Sequence, residues 1–74
     1  MKVSEMTEGQ RSCYMNAVSF INNAQLTVGT SNIQRHCKIG YVRACDYITW
    51  AVENKHVDIN QLNANARLLI EKQS

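Results

Sequence analysis

Arg35, Lys38 and Arg43 fall within a nine-residue stretch, 35–43, that contains no acid. Guanidinium and ammonium groups grouped in this way hold phosphate oxygens, which positions a protein on a nucleic-acid backbone without reading its sequence. Just upstream, Ser31 and Gln34 have the spacing of a helix-opening capping box, and a helix N-terminus can hold a phosphate through its free amides. Arg43 stands where a following helix would begin, so it reaches phosphates or bases, or else pairs with Asp46 or Glu53. For Arg35 and Lys38 the competing reading is a solvated basic turn at a helix C-terminus. His36 and His56 are twenty residues apart with no cysteine or carboxylate at metal-ligand spacing, so no metal or cofactor is expected. No local motif orders a serine, histidine and aspartate for catalysis, and an enzyme is not expected.

Other residues set the bounds. A chain of 74 residues with 45% apolar residues makes one small domain with a thin core. The net charge of +2 permits nucleic-acid binding without arguing for it. The three cysteines, Cys13, Cys37 and Cys45, have neither disulfide-framework nor C-x-x-C spacing. They are expected to be buried, reduced thiols of a cytoplasmic protein. No apolar run approaches the ~20 residues that cross a bilayer, so no membrane partner is expected.

The elements that would position the basic residues follow from periodicity and punctuation. Thr7 to Gln10 is a capping box, and Tyr14, Ala17, Val18, Ile21 and Ala24 behind it repeat at helical spacing. A first helix is predicted over about 8 to 24, after a loose leader at 1–6. Gln25 to Gly29 reads as a brief strand. Ser31 opens a short second helix with Ile33 and Cys37 inward. Lys38 to Gly40 is a turn in which Gly40 is free to take positive φ. A third helix is predicted over about Tyr41 to Asn54, with Ala44, Ile48 and Ala51 as its core stripe and Tyr41, Cys45, Tyr47 and Val52 on its flanks. The segments 56–59 and 67–70 then read as two strands around an Asn-rich loop, with a frayed tail at 71–74. The predicted fold is α+β, mainly α: a winged helix-turn-helix of three helices, a short strand and a C-terminal β-hairpin, in a single domain over 1–74.

At these residues the chain resembles a known family. Ile33-Gln34-Arg35, Ile39-Gly40-Tyr41 and Arg43-Ala44, with Ala17-Val18 and Phe20 upstream and Val57 downstream, are similar to the gamma domain of FtsK/SpoIIIE-type DNA translocases. The resemblance covers about residues 13 to 70. It implies a winged helix on double-stranded DNA that reads short, oriented, G-rich motifs. In the FtsK branch it also implies contact with a Xer-type tyrosine recombinase. The motor is absent, since the chain holds no G-x-x-x-x-G-K-[ST].

The departures fall on the reading face. Where the family carries Asn, Arg and Glu, this chain has Val42, Asp46 and Thr49. That set cannot make the bidentate guanine contact of an arginine. Val42 can touch a thymine methyl, and Asp46 can accept from cytosine.

The expectation is therefore a small DNA-binding accessory factor in transcription or recombination, of a phage or other mobile element, with a changed readout. Ser31, Gln34, Arg35, Lys38, Tyr41, Val42, Arg43, Asp46 and Thr49 form its DNA face, with Lys55 and Arg67 as wing contacts or ordinary exposed charges. The alternative is a protein-binding module on the same scaffold, whose partner is a recombinase, a host complex or a second copy. Tyr47 and Trp50 are its interface candidates, although Trp50 can equally fold onto the small core.

Overall fold

The computed structural model describes residues 1–73. Thr7 caps α1 (Glu8–Asn23) as expected: its Oγ1 accepts from the Gln10 amide at 3.2 Å, while Gln10 Oε1 accepts from the Thr7 amide at 3.0 Å. Tyr14, Ala17, Val18 and Ile21 are its buried face. The leader is not loose throughout. Val3–Glu5 forms a turn of 3-10 helix, and Met6 behind it is only 5% exposed in the core.

The second helix, α2 (Thr30–Cys37), starts earlier than the sequence suggested. Its cap is Gly29, whose amide donates to Asn32 Oδ1 at 2.9 Å. Ser31 lies inside the first turn, and no Ser31–Gln34 capping box forms. Asn32 competes successfully because its short amide reaches back to the free Gly29 N–H. The turn at 38–40 also differs in detail. Lys38 takes the left-handed conformation (φ 56°, ψ 50°), while Gly40 is extended (φ −78°, ψ 171°) and caps the next helix. Ile39 lies between them, packed on the core.

The third helix, α3 (Tyr41–Glu53), buries Ala44, Tyr47, Ile48 and Ala51. Spacings of three and four put these on one stripe, and that stripe packs on both α1 and α2. Tyr47 is thus a core residue at 1% exposure and no interface candidate. Its ring meets Tyr14 edge to face at 6.2 Å, and Trp50 leans on Tyr14 and Tyr47 at 6.4 and 5.6 Å. Trp50 is accordingly partly buried rather than displayed. The Tyr14 hydroxyl, inside this cluster, pairs with His56 Nδ1 at 2.8 Å and accepts from Asn54 Nδ2 at 3.4 Å.

The C-terminal third overturns the predicted wing. No strand occurs among the described residues, and the fold is all-helical. Lys55 leaves α3 with φ 61°, Val57 drops into the core, and Asp58 caps a turn of 3-10 helix at Ile59–Gln61. The expected second strand, 67–70, lies inside α4 (Ala64–Gln73). The physical reason is local. Ala, Arg, Leu, Glu, Lys and Gln favour helix, and Asn63 caps it by accepting the Ala66 amide on Oδ1 at 3.0 Å. Burial follows helical order: Ala66 is buried, Leu69 and Ile70 are half-buried, and Leu68 between them is 50% exposed. A strand would have alternated. The tail expected to fray over 71–74 instead continues α4 as far as Gln73, and Ser74 lies outside the described residues.

The predicted strand at 25–29 reduces to one parallel bridge, Val28 with Leu62. Val28 N–H donates to the Gln61 carbonyl at 3.0 Å, and Asn63 N–H donates to the Val28 carbonyl at 2.9 Å. This pairing ties the start of α4 to the start of α2, and α4 packs on α3. The cysteines also depart from expectation. All three are free, but Cys13 is exposed and Cys37 and Cys45 are half-buried. No helix is long and apolar enough to cross a membrane among the described residues.

Candidate nucleic-acid interface

Three residues, 38–40, join α2 to α3, the connection length of a helix-turn-helix. The corner is fixed from inside by Ile33, buried completely, and by Cys37 and Ile39 packed against the core. Its outer side carries the charge. Arg35, Lys38 and Arg43 are exposed, and none makes an ion pair within the described residues. The salt bridge considered for Arg43 with Asp46 or Glu53 is absent. Glu53 sits at the far end of α3, about 18 Å along its axis from Tyr41. There its carboxylate meets the Met1 ammonium at 3.0 Å.

The first turn of α3 is presented to solvent. Tyr41 is 55% and Val42 73% exposed, and Arg43 follows. Gly40 offers no side-chain cap, and the first turn holds no acid, so its free amides and positive dipole end face outward. The Cys45 side chain one turn on, through a hydrogen bond and its charge, pushes the Tyr41 phenol above its ordinary range. Asp46 is half-buried and is the one acid in the first two turns of α3.

Other expected members separate from this group. Thr49 is half-buried and its hydroxyl fully so, with no hydrogen-bond partner among the described residues; it does not share an open face with Val42. Lys55 follows the opposite end of α3, one whole helix away from Arg43. Arg67 is half-buried in α4 rather than at the mouth of a hairpin.

Ser31, Gln34 and Tyr41 meet elsewhere. They line a cleft of about 390 Å³ together with Thr30, Asn63, Asn65, Leu68, Leu69 and Lys72. The α4 members were missed because the segment was read as a hairpin; a helical projection of residues 64–73 puts Asn65, Leu68, Leu69 and Lys72 on one face. His36 stacks on Phe20 at 4.2 Å, His56 bonds Tyr14, and no group of three potential ligands exists among the described residues. No protein-family model, curated protein or solved structure matches the chain.

Proposed function

We propose that the protein binds double-stranded DNA through the α2–α3 corner, as a small accessory factor in transcription or recombination. In this reading Arg35 and Lys38 hold backbone phosphates. The first turn of α3 enters the major groove, with Tyr41, Val42 and Arg43 toward the base edges and Asp46 one turn deeper. The observation that carries it is the set of three unpaired basic residues on the outer side of a helix-turn-helix corner. The likeness of Ile33-Gln34-Arg35 and Ile39-Gly40-Tyr41 to the gamma-domain pattern supports the same residues. No wing takes part: α4 stands where the second strand of the wing was expected, and Lys55 and Arg67 are outside the contact.

Titration of labelled duplex across a salt series tests it. Two phosphate contacts, from Arg35 and Lys38, give a slope of log K against log salt of about −1.8. No binding at 50 mM salt, or binding insensitive to salt, removes the proposal. One observation favours the alternative of a protein partner such as a recombinase: exposed Tyr41 and Val42 directly precede the exposed Arg43, a composition suited to protein contact. That reading does not rest on Trp50, which is half-buried and leans on Tyr14 and Tyr47.

A further inference from the structure

The bridge between Val28 and Leu62 is parallel, and each segment enters a helix two residues later, at Thr30 and Ala64. The N-termini of α2 and α4 therefore start side by side. Their contact is tight: a Cβ on Gly29 would collide with the Asn63 side-chain amide. Two positive helix ends in this position repel unless an anion lies between them. Neither first turn contains an acid to supply one.

The donors at this junction are only partly used. Gly29 and Asn63 satisfy the amides of Asn32, Ile33, Ala66 and Arg67, which leaves those of Thr30, Ser31, Ala64 and Asn65 without a partner among the described residues. Thr30 gives an independent indication. It is 8% exposed, its hydroxyl makes no hydrogen bond among the described residues, and it lines the cleft. An unpartnered hydroxyl on a residue this buried, lining an acid-free cleft, is a donor available to an acceptor held there. Lys72 adds a cation along the same cleft, and Leu68, Leu69 and Tyr41 provide an apolar and aromatic wall. A volume of about 390 Å³ holds a small organic molecule.

We infer that this cleft binds a small phosphoester. Its phosphate sits between the first turns of α2 and α4 and accepts from Thr30, Ser31 and Asn65, while its organic body lies along Leu68 toward Tyr41 and Lys72. The inference does not require the DNA reading, although a backbone phosphate offers the same chemistry.

Amide chemical shifts of the full chain, titrated with phenyl phosphate, inorganic phosphate, duplex DNA and chloride at matched ionic strength, test it. Both small phosphates should move the Thr30, Ser31, Ala64 and Asn65 amides saturably, phenyl phosphate at lower concentration, and chloride should not. Thr30→Val should weaken phenyl phosphate about threefold or more. Asn65→Asp places a carboxylate in the first turn of α4. It should raise the melting temperature of the free protein and weaken phenyl phosphate about tenfold. Shifts no larger than those with chloride, or Asn65→Asp binding as tightly as the parent, overturn the inference. Movement of these amides by duplex alone also overturns it and gives the cleft to the DNA backbone.

Discussion

Lys38 holds φ 56° at the corner between α2 and α3, a position that costs an ordinary L-residue about 1–2 kcal/mol and glycine almost nothing. Lys55 shares that conformation (φ 61°), so the residue-scale argument for Lys38 is its exposed charge at the corner beside Arg35, without an ion pair among the described residues, and not the strain. Lys38→Gly should raise the unfolding free energy by about 0.5 kcal/mol, allowing for glycine's greater chain entropy. The same substitution should weaken duplex binding and reduce the salt slope by about 1. Urea melts and the salt series read the two effects separately; loss of both stability and affinity would make Lys38 merely structural. Thr49 makes the converse case. Its buried hydroxyl has no partner, so Thr49→Val should stabilise by about 1 kcal/mol and leave DNA affinity unchanged. A loss of affinity in that variant would return Thr49 to the reading face.

At the scale of elements, α1 and α3 were legible because each has a long apolar stripe and clear punctuation. Thr7 and Gln10 fixed the start of the first, and Ala44, Ile48 and Ala51 the inward face of the second. The short elements were ambiguous for physical reasons. Ser31 and Asn32 both offer side chains to a helix start, and the choice fell to Asn32 because Gly29 leaves its amide free. Residues 67–70 are four in number with apolar character, a length at which strand and helix patterns coincide. The deciding information lay in Asn63, read as a turn residue, which caps α4. The basic corner was visible in composition alone. The α2–α4 cleft was not, because it depends on a single pairing between Val28 and Leu62. That junction is tested at Gly29. Gly29→Ala drives a methyl into the Asn63 amide and should cost about 1–3 kcal/mol in urea unfolding. A neutral result would mean that α2 and α4 do not meet as described.

For the whole molecule, stability rests on a small core closed by Tyr14, Tyr47 and Trp50, with the Tyr14 hydroxyl joining α1 to the exit of α3. Burial, the largest cause, pushes the Tyr14 phenol above its ordinary 10.0, and the Glu53 charge adds to this while the Asn54 hydrogen bond opposes it. Above about pH 10 the unfolded chain has therefore lost a proton that the folded chain retains. This contribution to stability is complete below that pH and falls away as pH rises through the folded value. Tyr14→Phe should cost about 1 kcal/mol at neutral pH, and the gap to the parent protein should stay constant up to about pH 10 and narrow as pH rises above it. Urea melts at several pH values check it; a constant gap would separate Tyr14 from the alkaline loss.

The central claim is that the α2–α3 corner is the DNA-contacting surface, and amide chemical-shift mapping with duplex DNA tests it most directly. The expected result is a set of salt-sensitive shifts concentrated on Arg35, Lys38 and Tyr41 to Asp46, with Lys55 to Gln61 unmoved. Shifts centred on Lys55 to Gln61, or none at low salt, would contradict it.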